Sequence, residues 1–203
     1  MSSLFFRLLA AILAPAIHEY VKARVSTALG DRTPASKGFL TLNPFKYLEP
    51  IGFILMMFMG FGWGKPVPTS ALYYKNKRKG ILLTYSMPIV ANLFVGALAI
   101  NLSFLFSSMP YVQPFLISFS HANFALAVFN LIPVYPMASN KLLHLFVSPD
   151  TSMRLTQYEK PLQMILFIAV MLGLVQRFVF TGVMYLTALF SMLSVVIFAP
   201  FAL

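Results

Sequence analysis

Cysteine is absent from the 203 residues, which excludes disulfides, thiolate metal ligands and a cysteine nucleophile together. Acidic residues are almost as scarce: Glu19, Asp31, Glu49, Asp150 and Glu159 are the whole set. They can build a metal cage or a carboxylate pair only if distant loops converge. Charged residues make up 10% of the chain, against roughly a quarter in soluble domains. A surface so poor in charge cannot be solvated by water, so no room is left for a separate soluble domain. There is no internal repeat and no low-complexity tract.

What the chain has instead is apolar surface, with 59% hydrophobic residues and a mean hydropathy of +0.81. Lipid is the expected solvent. The expected fold is an all-α integral membrane bundle of five to six transmembrane segments, one of them a candidate re-entrant segment, with short extended pieces in the cytoplasmic loops. A spanning helix needs roughly 20 mostly apolar residues. The first candidate is 4–29. Arg7, the apolar run 8–16 and Ala14-Pro15-Ala16 resemble a secretory signal, but the sequence starting at Met1 retains the segment, so it is read as a span. Its second half carries His18, Glu19, Lys22 and Arg24, and ionisable groups at that depth must face a bundle interior or the interface.

Residues 30–49 read as a polar loop. Residues 51–64 are apolar but only 14 long, better suited to a re-entrant segment than to a full crossing. Gly60, Gly62, Gly64, Pro66 and Pro68 should break any helix there, and Lys75, Lys77, Arg78 and Lys79 follow as a basic cluster facing anionic lipid or a partner. Further spans are expected at 80–106 and 114–131, joined by an uncharged linker near 107–113. A polar stretch over 134–160 and a closing hairpin of 161–175 and 178–203, turning around Arg177, complete the chain. The whole is one membrane domain, 1–203, with a core of 1–145 and a C-terminal helical hairpin of 146–203.

The net charge is +10. Such a balance indicates nucleic acid or an anionic membrane face, but the aromatic residues lie in apolar runs rather than among the basic ones, so no nucleic-acid partner is expected. With 51–64 re-entrant, loops 30–49, 65–79 and 134–160 share one side and hold most of the charge. By the positive-inside rule they are cytoplasmic, which fits a multi-pass protein of a bacterial inner membrane. The expected partners are the bilayer and other membrane proteins.

The residues that could carry chemistry begin with His18-Glu19. In His-Glu-x-x-His, two His four apart on one helix face bind Zn²⁺ and the Glu activates a water. Here Lys22 stands at the second His position. The pair belongs with Leu29-Gly30-Asp31-Arg32-Thr33, Gly38-Phe39-Leu40-Thr41-Leu42-Asn43-Pro44 and Glu49-Pro50-Ile51-Gly52. It also belongs with Phe61-Gly62-Trp63-Gly64-Lys65-Pro66-Val67-Pro68 and Phe129-Asn130-Leu131-Ile132-Pro133. Together these runs, in this order and with these gaps, resemble the short bacterial form of the site-2 protease family of intramembrane zinc metalloproteases. The resemblance covers about 8–145 closely and the final hairpin loosely. It implies a helical bundle with zinc held below the cytoplasmic surface by the two His of the helix motif and by an Asp after the Asn-Leu-x-Pro turn.

In this chain the Asp position is Ala138, within Pro136-Met137-Ala138-Ser139-Asn140, and the family's Gly-Pro-x-x-Asn appears as Pro88-Ile89-Val90-Ala91-Asn92 without its Gly. A catalytic zinc needs three protein ligands and an open position; one imidazole cannot hold it and an ammonium four residues away repels it. Without the metal no water is brought toward neutral pKa. His18, Glu19, Lys22, Asn92, Asn130 and Ala138 are therefore expected to be vestigial positions, with no cofactor and no peptidase activity. Lys22 shares a helix face with His18 and Glu19, and its ammonium is expected to pair with Glu19 in place of the lost charge.

The expected function is a catalytically inactive, protease-like subunit that acts by binding, either as a structural part of a membrane complex or by holding a transmembrane client. The alternative is an active zinc protease whose metal site is rebuilt from His18 with His121 or His144; read simply, those two are structural or interfacial histidines. Asn92 and Asn130 read more simply as interhelical hydrogen-bonding groups. A transport or channel role would need a polar pathway that the spans lack. A Gly-x-Ser-Gly serine motif is absent, and Asp31 and Asp150, both read as loop residues, exclude a paired-aspartate site within the spans.

Overall fold

A computed structural model describes residues 2–59 and 64–198. The chain begins with α1 (Ser2–Ala28), followed by α2 (Thr33–Ser36), a 3₁₀ turn at Pro44–Tyr47 and α3 (Pro50–Met59). A second 3₁₀ turn at Ala71–Tyr73 leads into α4 (Lys77–Leu105), and α5 (Val112–Phe129) returns across it. Then come α6 (Ala138–Leu143), α7 (Pro149–Met171) and α8 (Leu174–Phe198). Among the described residues, four helical stretches are long and apolar enough to cross a membrane: Leu4–Ala28, Lys77–Leu105, Val112–Phe129 and Leu174–Leu193. The protein is an all-helical membrane protein. At ten residues, α3 rises about 15 Å, half the hydrocarbon thickness. The helix breaks expected at Gly60 and Gly62, and Phe61 and Trp63 of the motif, lie outside the described residues.

The bundle is centred on α1, α4 and α5, which pack on one another; α8 lies against α5 and α4, and α7 against α8. In lipid, helices associate through close backbone approach and interhelical hydrogen bonds rather than through water exclusion. Ala10 and Ala14 of α1 therefore meet Ala122 of α5. A Cβ on Gly96 of α4 would come within 2.6 Å of the Phe124 ring, and the Ser120 hydroxyl donates to the Gly96 carbonyl at 2.8 Å. Phe124, Val128 and Phe129 of α5 join Val170 of α7 and Val175, Val179 and Val183 of α8 in the largest apolar cluster.

The closing segments differ from expectation. The hairpin turns at Gly173, not around Arg177, because Gly173 takes the left-handed conformation (φ +76°) that ends a helix without a Cβ penalty. Arg177 sits inside the first turn of α8, its amide bonded to the Gly173 carbonyl. Residues 134–160 are not a continuous loop. Met137 opens α6, and Ser148 caps α7, its hydroxyl accepting from the Thr151 amide, with Pro149 and Asp150 in the first turn. Asp150 is thus a helix residue. Loop 30–49 contains α2 and a 3₁₀ turn, and no strand forms among the described residues.

Candidate functional site

Two of the central helices carry an internal proline, Pro15 in α1 and Pro88 in α4. Each removes a backbone donor from its helix. Both line a cavity of about 110 Å³, together with His18, Glu19, Lys22, Tyr85, Asn130 and Ala138. Five of the six expected positions thus share one chamber. The sixth, Asn92, is fully buried behind it.

His18 is 5% exposed, and its Nδ1 lies 2.6 Å from Asn92 Oδ1. The direction of that bond follows from a chain that ends on backbone. The Asn123 amide donates to the Phe119 carbonyl at 2.8 Å, so Asn123 Oδ1 must accept, and it does so from the Asn92 amide at 2.8 Å. Asn92 Oδ1 is left as an acceptor, and His18 Nδ1–H donates to it. His18 is thereby held as the tautomer whose Nε2 carries the lone pair, the arrangement that supporting residues impose on metal-binding histidines.

Glu19, 7% exposed, accepts from the Val67 amide at 2.7 Å and from the Lys22 ammonium at 3.5 Å. Lys22 and Glu19 form an ion pair with both side chains about nine-tenths buried. The Lys22 ammonium also lies 5.3 Å from the centre of the Tyr85 ring, a cation–π distance. The expected pairing of Lys22 with Glu19 is therefore what the geometry has.

The strap 64–70 is seated over Glu19. The Lys65 amide donates to the Tyr47 carbonyl at 2.7 Å. A Cβ on Gly64 would stand 2.9 Å from Pro15 and 3.0 Å from the Tyr47 carbonyl, so only glycine lets the backbone lie there. Tyr47 is 1% exposed; burial pushes its phenol above its usual value, and its hydroxyl donates to the carbonyls of Phe39 and Thr41.

Asn130 orients the opposite wall. Its amide donates to the Leu126 carbonyl at 2.9 Å and its Oδ1 accepts from the Ala138 amide at 3.3 Å. The Ser139 amide returns to the Asn130 carbonyl at 3.1 Å. The side chain thus closes the turn that brings position 138 to the cavity, where an alanine methyl is all that is presented.

Asp31 is fully buried and was legible only as a loop residue. It accepts from the Ser26 hydroxyl at 2.9 Å, the Thr33 amide at 2.9 Å and the Ser70 amide at 2.7 Å. Burial alone would raise its pKa; the bonds from Thr33, Ser70 and Ser26 outweigh it and hold the carboxyl below 3.8. Ser26, committed to Asp31, accepts from the Tyr74 hydroxyl at 2.8 Å, which accepts from Thr84 at 3.0 Å. A polar chain therefore runs from Thr84 at the cavity to Asp31.

His121 and His144 do not line the cavity. His121 is on α5, next to the Ala122 that packs on α1. His144 bonds Ser152 through Nδ1 at 2.7 Å and lies 3.7 Å from Glu159, which also takes Lys141 at 3.4 Å. Among the described residues no three His, Asp or Glu side chains converge to hold a metal.

A protein of Bacillus subtilis (strain 168), described as "Putative zinc metalloprotease YwhC", is 32% identical over 160 residues, spanning 73% of this chain and 72% of that protein. The chain belongs to the site-2 protease-like family. No protein-family model matches it, and no solved structure does. The family implies zinc, and the donors on the cavity wall do not fit it. They offer one imidazole nitrogen, a carboxylate engaged by Lys22 and Val67, an ammonium at the second ligand position and a methyl at the third. Asn123, Tyr85 and the strap amides escaped sequence reading. The signal for Asn123 was its place two helical turns before Asn130 in an apolar span, the same face of α5.

Proposed function

We propose that this protein is a catalytically inactive member of its family that acts by binding, as a structural subunit of a membrane complex or as a holder of a transmembrane client. The observation that carries this reading is the Lys22–Glu19 ion pair: the carboxylate that would activate water is neutralised by an ammonium standing where the second metal ligand would be. Ala138, in place of a third ligand, supports it. The scaffold around these positions is intact, from the Asn92–Asn123 chain to the Asn130 turn. A folded cavity without its reactive groups suits binding rather than turnover.

The same proposal includes the topology. α1, α4, α5, α7 and α8 cross the bilayer of a bacterial inner membrane, and α3 belongs to a re-entrant segment. The loops before α4 and between α5 and α7 are then cytoplasmic, as their cations favour.

The test is metal content of the purified protein by mass spectrometry, on wild type and on His18→Ala. Neither should carry zinc. About one zinc per chain, lost in the variant, would mean a rebuilt metal site and an active enzyme.

A further inference from the structure

The end of the bundle where α1 finishes and α4 begins carries exposed cations with no exposed acid beside them. Its loops are joined into one cap. The Ser70 amide bonds Asp31 at 2.7 Å, the Lys65 amide bonds the Tyr47 carbonyl at 2.7 Å, and the Tyr73 carbonyl lies 2.8 Å from where a Gly30 Cβ would be. Lys46, Lys65, Lys75, Lys77, Arg78 and Lys79 are all exposed on this cap, and none of them forms an ion pair among the described residues. The acids of α1 and of the loops before α4 are spoken for. Glu19 and Asp31 are buried, and Glu49 accepts from the Gly52 amide at the start of α3.

Between these cations stand large apolar side chains that no span accounts for. Phe45 is 70% exposed, Leu72 77% and Tyr73 62%. Phe45 lies in the 3₁₀ turn capped by Asn43, whose side chain accepts from the Phe45 amide, and Leu72 and Tyr73 lie in the turn before α4. The turns that hold them up are themselves anchored: Tyr47 is buried through its hydroxyl bonds, and Tyr74 through its bonds to Ser26 and Thr84. Apolar residues projecting from rigid turns among unpaired cations match a layer that is anionic at its surface and apolar just beneath it.

We propose that this cap is a docking surface for anionic phospholipid, with headgroup phosphates against Lys65, Lys75, Lys77, Arg78 and Lys79 and with Phe45, Leu72 and Tyr73 entering the acyl boundary. Its charge, and not the spans, gives the protein a lipid preference. The cations and apolar side chains of this surface do not line the cavity, and the proposal stands whether or not a metal binds there.

The test uses the full chain in detergent, loaded with equimolar phosphatidylglycerol and phosphatidylcholine, and counts retained lipids by native mass spectrometry. Wild type should retain phosphatidylglycerol preferentially, and the preference should fall as salt rises. The variant carrying Lys75→Gln, Lys77→Gln, Arg78→Gln and Lys79→Gln should lose it, each charge contributing up to about fivefold at low salt. A control with Arg154→Gln and Lys160→Gln, two exposed cations of α7, should keep it. Leu72→Ser with Tyr73→Ser should lower retention of both lipids. The substituted side chains are exposed, so an unchanged melting temperature verifies the fold. Equal retention of the two lipids by wild type, an undiminished preference in the quadruple variant or an equal loss in the control would overturn the proposal. So would displacement of the lipid by millimolar glycerol phosphate, which would make the site one for a soluble anion.

Discussion

Lys22 has taken over an electrostatic position rather than a chemical one. A carboxylate at the depth of Glu19 needs a cation or strong donors, and it has both, Lys22 at 3.5 Å and the Val67 amide at 2.7 Å. Removing one partner of a buried pair leaves the other charge uncompensated. Lys22→Ala should therefore destabilise the protein by about 3 kcal/mol, and adding Glu19→Gln should recover much of that loss; detergent melting curves check both. An unchanged melting temperature in the single variant would show the pair to be incidental. Asp31 makes a second prediction. Its folded pKa is depressed, so the unfolded chain binds more protons just below the usual carboxylate value. The stabilisation is full above that value and drains away as pH falls through the folded pKa. Asp31→Asn should be less stable than wild type at neutral pH and lose less stability on acidification below pH ~4, measured by unfolding at a series of pH values.

At the scale of elements, glycines decide where helices stop and how near they come. Gly173 ends α7 in the left-handed conformation, and a Cβ there would meet nothing within 4 Å, so Gly173→Ala should cost about 1 kcal/mol through backbone strain alone. Gly96 is different, since its missing Cβ makes room for the Phe124 ring. Gly96→Leu should separate α4 from α5 and cost several times as much, in the same melting assay. These two positions also show what the sequence disclosed. Four long apolar runs are visible as spans because lipid demands some 20 apolar residues in succession. The turn at Gly173 was hidden because hydropathy stays high on both sides of it, and Arg177 offered a louder but false signal. The N-terminus of α7 was hidden for the opposite reason: its first half is polar and reads as a loop, although Ser148-Pro149-Asp150 is a helix start. In the site, His18, Glu19 and Asn130 were findable as matches to a motif, and Lys22 and Ala138 as departures from it. Asn123 and Tyr85 were not, because their partners are 31 and 63 positions away and only the packing of α1, α4 and α5 brings them together.

For the whole molecule, the proposed reading is that the supporting groups have outlasted what they support. The Asn92–Asn123 chain still fixes the His18 tautomer, and Asn130 still sets the turn carrying position 138. Both devices would suit a metal site, and both now serve a cavity whose remaining charges cancel within it. The most direct measurement is therefore zinc stoichiometry of wild type beside the double variant Lys22→His with Ala138→Asp, purified in parallel without chelator. We expect no zinc in wild type and about one per chain in the double variant. Zinc in wild type, or none in a folded double variant, would contradict a scaffold kept whole around a lost site.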